Sequence, residues 1–299
     1  MVRQSLFITI LFLFAFGSLL FQSCKNITAT KEHINESFSN PELGGMYHDF
    51  SIESQVRGLV DLNVYLPPGW SQKGYATYPL LFFLHGGGGN QYLFSSCVPA
   101  AQLNQWITED ITPPLVIVSP KGWYSGEEEQ WYSPANQIFL TSENSSELRL
   151  FCKQQFRAGV EEGMISIQGF SRGASGTLYL GFKYSDRFAS AISNSFVSLY
   201  ILEEIKDLAT NFRETIIANN LYLRILIGDQ DRFITEFGWN VTPALHDHLE
   251  HLGILHDYEV FPSVDHAFPR IWNYIRSDGL ENGLYELKRH AQAWGMEEF

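Results

Sequence analysis

Short apolar runs alternate with helix-spaced stretches along this chain, and that alternation predicts an α/β fold with a mostly parallel central sheet and helices on both faces. Three observations carry the prediction. Runs such as "YPLLFFL", "PPLVIV", "MISIQGF" and "LYLRILIG" recur, each too short for a typical helix. They are continuous rather than alternating, which suits strands buried on both faces. Each closes on small or turn-forming residues, as in "HGGGG", "SPKG", "SRG" and "GDQD".

The elements follow in order. "MYHDFSIES" and "GLVDLNVYLPPGW" alternate in polarity and read as a hairpin closed by Pro67-Pro68-Gly69. The four apolar runs follow as strands, with "FASAISNS" as a short strand and "HDYEVFPSVDH" as a weaker last one. Helical spacing marks residues 145–157, 175–184, 243–252 and 283–294. Residues 121–142, rich in Trp, Tyr, Glu and Ser, fit no regular element and read as a long loop or small cap.

The first 45 residues stand apart. Arg3 is the one charge before Lys25, and residues 6–21 are almost wholly apolar up to Ser23-Cys24. This resembles a bacterial lipoprotein signal, which implies a signal peptide over residues 1–23 and lipidation of Cys24. Residues 24–45 read as a flexible polar tether, and residues 46–299 as the folded domain. The expected location is the bacterial cell envelope, with the membrane as a partner through the lipid anchor. Cys97 and Cys152 remain, either as free thiols or as a pair.

The chain has 299 residues and a net charge of −13, with 45% hydrophobic and 15% aromatic residues. That charge disfavours a nucleic-acid partner, because phosphate contacts need clustered Lys and Arg. It also disfavours strongly anionic polymers. No zinc-type cysteine spacing occurs, and His246, His248, His251 and His256 do not share one helix face, so no metal is expected.

The chemistry is concentrated at strand ends. In "ISIQGFSRGASG", Ser171 lies between Gly169 and Gly173 where a strand gives way to a helix. A sharp corner there exposes the serine Oγ, and small residues two before and two after let strand and helix approach. An attacking serine needs donors for the oxyanion, of which the N–H after the nucleophile, here that of Arg172, is one. "FFLHGGGGN" ends an earlier strand and suits the second donor. It lacks the Lys-Ser/Thr of a phosphate loop. An acid and a histidine are then required, in that order. Asp229 and Asp231 both lie in "IGDQD", and His266 follows the last strand. No cofactor is needed for this chemistry.

With those residues in place, the chain resembles the esterase D and feruloyl-esterase-like branch of the α/β-hydrolases. The likeness rests on "LNVYLPPGW", "YPLLFFLHGGGG", "ISIQGFSRGASG", "ILIGDQD" and "VDHAFPRIW" and runs over residues 46–294. It implies an α/β-hydrolase fold with Ser171 as nucleophile, His266 as general acid and base, and Asp231 as its orienting acid. It also implies an oxyanion hole of the Gly87 and Arg172 amides. Three positions depart from the family pattern: Arg172 stands where methionine is frequent, Gly87 where a larger apolar residue is usual, and Asp265 before the histidine where a glycine-containing turn is common.

The expected activity is therefore hydrolysis of carboxylic esters, of acetyl or feruloyl type on carbohydrates. Trp123 and Trp131 are candidates for a flat substrate platform, with Glu127, Glu128 and Glu129 near them for hydroxyl groups. Acyl transfer to a carbohydrate acceptor and an inactive glycan-binding surface protein are the rival readings.

Overall fold

A computed structural model describes residues 43–122, 130–141, 147–161 and 163–296. The stretch expected to be a signal, Cys24, most of the expected tether, Trp123 and Glu127–Glu129 lie outside the described residues.

Eight strands form one sheet: β1 (Met46–Ser54), β2 (Gly58–Leu66), β3 (Leu80–Leu84), β4 (Val116–Pro120), β5 (Ile165–Phe170), β6 (Ser190–Asn194), β7 (Tyr222–Gly228) and β8 (Asp257–Phe261). Their order is β1-β2-β4-β3-β5-β6-β7-β8. The first two strands pair antiparallel, as do β2 and β4, and every other pair is parallel. The helices are α1 (Leu93–Cys97), α2 (Ala100–Thr108), α3 (Pro134–Thr141), α4 (Glu147–Phe156), α5 (Arg172–Lys183), α6 (Leu202–Asn211), α7 (Arg213–Ala218), α8 (Arg232–Thr235), α9 (Val241–Leu252), α10 (Phe268–Trp272) and α11 (Asn282–Ala293).

Continuous apolar runs become central strands because both faces are covered. In β3, Leu80, Phe82 and Leu84 enter one core and Leu81 and Phe83 the other. Leu148 and Phe151 of α4, Leu178 of α5 and Leu245 of α9 close the first core. Phe94 of α1, Trp106 of α2, Trp272 of α10 and Leu287 of α11 close the second.

Two expectations are corrected. The hairpin turns at residues 55–57, with Ser54 opposite Gly58, whose φ of 70° suits glycine. Pro67 and Pro68 instead follow the end of β2, since proline has no N–H for the ladder. The stretch 121–142 is not wholly irregular, because α3 occupies its end and buries Phe139 and Leu140.

A polar network runs under the carboxyl half of the sheet. Arg224 is wholly buried within β7 and pairs with Glu286 at 2.9 Å and Glu259 at 2.7 Å. Glu286 also accepts from Gln168 of β5 at 2.6 Å and Asn282 at 3.1 Å. His290 lies between Ser190 at 2.7 Å and Gln168 at 3.1 Å. Each buried charge is thus met by opposite charge or donors, the condition under which such groups are tolerated.

Candidate active site

Parallel pairing places the ends of β3, β5, β6, β7 and β8 along one edge, the edge at which open α/β sheets bind ligands. Ser171 follows β5 there and caps α5 with φ 57° and ψ −113°. A left-handed φ is costly for a residue with a Cβ, and surrounding contacts must hold it. Its N–H donates to Asn194 O on β6 at 2.9 Å. A Cβ on Gly173 would lie 1.9 Å from Leu84 O, and one on Gly169 2.3 Å from Gly173 O. Strand and helix therefore cross at backbone contact, which turns the Ser171 side chain out of the sheet.

The histidine arrives on the loop after β8. His266 Nε2 lies 2.9 Å from Ser171 Oγ, and its Nδ1 lies 2.6 Å from Asp231 Oδ2. Asp231 is wholly buried, and its other oxygen accepts from Phe233 N at 3.0 Å. Facing a carboxylate, Nδ1 carries the proton, which leaves Nε2 to accept from the serine hydroxyl. Phe170 and Phe233 flank the imidazole, with ring centroids 4.8 and 4.9 Å away.

Geometry separates the two aspartates. Asp229 Oδ1 accepts from Ser263 N at 2.7 Å, and Asp229 N donates to Phe261 O at 3.0 Å. Asp229 thus braces the loop that carries His266, while Asp231 faces the ring. Asp265 is engaged with Arg270 at 3.0 Å.

On the other side lies the loop after β3, where Gly86 and Gly87 line the cleft with Arg172. His85 anchors that loop: Nδ1 donates to Gly86 O at 2.8 Å and Nε2 accepts from Gly122 N at 2.9 Å. Burial pushes its pKa down to about 4. A ring with both nitrogens so engaged is a neutral strut.

Trp131 is corrected. It is 3% exposed, its Nε1 donates to His85 O at 3.0 Å, and its Cβ lies 2.3 Å from where a Gly176 Cβ would be. It packs the loop after β3 against α5 and offers no face to the cleft.

The cleft has a volume of about 690 Å³, and its aromatic wall comes from Tyr132, Tyr200, Phe233 and Trp239. Phe233 and Trp239 lie 5.3 Å apart by centroid, and Tyr200 meets Trp239 edge-on at 6.1 Å. Sequence reasoning missed Tyr200, Phe233 and Trp239. The signal available was "RFITEFGW" directly after the acid, since loops at that sheet edge line the site.

Among the described residues, one group could hold a metal ion: His246, Glu250 and His256. His256 lies beyond the end of α9, yet its side chain is buried and meets His246 at 2.8 Å. His256 directly precedes β8, so the group sits at the sheet edge opposite Ser171. Cys97 and Cys152 are free thiols, the latter buried.

A serine at a strained strand-to-helix corner, met by a buried Asp–His pair on an eight-stranded sheet, defines an α/β-hydrolase. The model of the family described as "Putative esterase" matches residues 55–260, and the chain belongs to that family. It is 32% identical over 141 residues to Esterase MT1326 of Mycobacterium tuberculosis, a match covering 45% of this chain and 28% of that protein. The chain thus matches well under a third of that relative's length. Among solved structures, a ferulic acid esterase superposes with a TM-score of 0.65 at 15% identity, covering 83% of this chain and 97% of the other. S-formylglutathione hydrolase from Staphylococcus aureus gives 0.56 at 17% identity, covering 81% and 98%. Identities this low speak for the fold alone.

Proposed function

We propose that this chain hydrolyses carboxylic esters through an acyl-enzyme on Ser171, and that its substrates are acetyl or feruloyl-type esters on carbohydrates. The observation that carries the reading is the continuous hydrogen-bonded line Asp231–His266–Ser171, at 2.6 and 2.9 Å, on the floor of an aromatic cleft. His266 Nε2 takes the Ser171 proton as Oγ attacks the ester carbonyl. Asp231 stabilises the imidazolium, which then protonates the leaving alcohol. The N–H groups of Gly87 and Arg172 bind the developing oxyanion. Water, deprotonated by His266, releases the acid.

The aromatic wall supports the substrate class. Flat rings of Tyr200, Phe233 and Trp239 suit a phenolic acyl group or a sugar face, and the cleft volume suits a ligand of that size. Membership of the esterase family supports the ester-hydrolase part of the reading. Export and lipidation at Cys24 belong to this reading, since polysaccharides are met outside the cell.

The test begins with a fluorophosphonate probe, which labels an activated serine and would leave an inactive glycan-binding protein unmodified. kcat/KM is then compared for methyl ferulate, an acetylated xylo-oligosaccharide, a long-chain lipid ester and a glutathione thioester. The carbohydrate-ester reading fails if the lipid ester or thioester wins by more than about tenfold, roughly 1.4 kcal/mol of transition-state binding. Trp239→Ala is expected to lower kcat/KM for the ferulate about tenfold, in line with a lost ring contact of order 1 kcal/mol. An unchanged value removes the wall from substrate binding.

A further inference from the structure

His246, Glu250 and His256 lie at the sheet edge opposite Ser171 and take no part in the proposed hydrolysis. His246 and Glu250 stand about one turn apart on α9 and so share a face. The helix ends at Gly253, whose φ of 65° costs glycine little. Gly253 N donates to Glu250 O and Ile254 N to Leu249 O, each at 3.0 Å. This pair of bonds turns the chain back over the last turn of the helix. The reversal brings His256 against His246, a neighbour that spacing along one helix does not reveal.

Both rings are held. The His256 side chain is fully buried, and its Nδ1 donates to Ile254 O at 2.8 Å. That bond fixes the tautomer, so Nε2 presents a lone pair to His246 Nδ1, 2.8 Å away. A histidine with one ring N–H on a backbone carbonyl and the other nitrogen presented has the outer support typical of metal-ligating histidines. Tyr258 of β8 stacks on the His246 ring, with centroids 4.1 Å apart and planes at 18°. Glu250 completes the group. Its Oε1 lies 4.0 Å from His256 Nδ1, and its side chain is 65% exposed, so it can close on an ion without leaving a core contact. One donor atom from each of the three residues lies within 4.8 Å of the other two.

We propose that His246 Nδ1, His256 Nε2 and a Glu250 carboxylate oxygen bind a divalent transition-metal ion of the Zn²⁺ class, with water in the fourth position. Two neutral imidazoles and a carboxylate suit that class, whereas Ca²⁺ and Mg²⁺ prefer oxygen shells. Nitrogens about 2.0–2.1 Å from a tetrahedral ion stand about 3.3 Å apart, so the rings need to part by only about 0.5 Å. The ion replaces the proton shared between the rings. His246 Nδ1 gives its proton to water and Nε2 takes one from water, so both rings stay neutral and no net proton is released. The bound ion ties α9 to the start of β8, the strand whose far end leads to His266. It stabilises the folded chain, because the unfolded chain holds no such preformed set.

The test strips the protein with EDTA, removes the chelator and titrates with Co²⁺ and with Zn²⁺. One Co²⁺ per chain is expected, with the visible absorption of a four-coordinate site, and Zn²⁺ is expected to displace it. Zn²⁺ is expected to raise the thermal midpoint in a concentration-dependent way, and Ca²⁺ and Mg²⁺ to leave it unchanged. His256→Asn is expected to weaken binding at least about a hundredfold. Because His256 is buried, the exposed Glu250→Ala serves as the variant with a secure fold; it is expected to keep the metal-free midpoint and to weaken binding about tenfold. His251→Asn, exposed and outside the group, is expected to bind as wild type does. The proposal is overturned if neither ion binds saturably up to about 100 μM, if no Zn²⁺-dependent rise in midpoint occurs, or if binding survives both His256→Asn and Glu250→Ala. Equal loss in His251→Asn overturns it too. None of these measurements uses ester hydrolysis, so the outcome is separate from the fate of the hydrolase reading.

Discussion

Ser171 combines a strained backbone with a side chain that contributes little packing, so its removal separates chemistry from stability. Ser171→Ala is expected to fold normally and to lose ester hydrolysis on the order of 10⁴-fold or more. Retention of a tenth of wild-type turnover would show that the nucleophile lies elsewhere. The two aspartates make a sharper pair. Asp231→Asn removes the charge that holds the His266 tautomer and is expected to be severe, whereas an asparagine at 229 can still accept from Ser263 N and is expected to be mild. Measuring kcat for both decides it, and reversed severity would transfer the role to Asp229. "IGDQD" alone left both residues open. Resemblance favoured Asp231, and the geometry supplies the reason, since Asp231 faces His266 while Asp229 binds the neighbouring loop.

At the scale of elements, the serine corner depends on how closely β5, α5 and β3 approach. Gly173→Ala would set a methyl 1.9 Å from Leu84 O, and a backbone carbonyl in a central strand has no room to retreat. We expect a loss of about 2–3 kcal/mol or more in urea unfolding, together with a fall in kcat as the corner opens. A variant with wild-type midpoint would mean that the strand–helix crossing is looser than drawn. This corner was legible in sequence because steric need confines those positions to glycine. The aromatic wall was not, because it joins the loop before α6 to the segment around α8, and the sheet order that brings these segments together is a tertiary fact. Trp131 misled for a related reason: a tryptophan in a polar stretch looks exposed until its indole is seen on His85 O.

The whole molecule responds to acid through two buried rings. Burial lowers His85 to about 4 and His290 to about 3, with the Arg224 charge adding to the shift at His290. Both fall below the ordinary value near 6.5, so the unfolded chain binds protons that the folded chain refuses. Their contribution is complete above about pH 6.5 and is lost as pH falls towards 4 and 3, by about 2 kcal/mol each at pH 5. Urea unfolding at pH 7 and pH 5 measures the sum, and His290→Asn is expected to reduce the difference by about 2 kcal/mol. Equal slopes in wild type and variant would mean that His290 titrates alike in both states. At the other end of the chain, Cys24→Ser is expected to release the protein from the membrane fraction, because the proposed anchor is the lipid. Among the described residues no helix is long and apolar enough to span a bilayer. Continued fractionation with membranes would favour an uncleaved apolar segment over residues 6–21.

The sequence by itself determined the α/β alternation, the strand ends that meet at the site, and the serine corner. Each is local: apolar run length sets burial on two faces, and glycine spacing sets how closely backbones approach. Tertiary structure alone decided which aspartate meets His266, and that Arg224 in an apolar run is buried against Glu286 and Glu259. Those outcomes depend on strand order and on loops distant in sequence meeting at one sheet edge, where the partner of a charge is fixed by position in space and not by spacing along the chain.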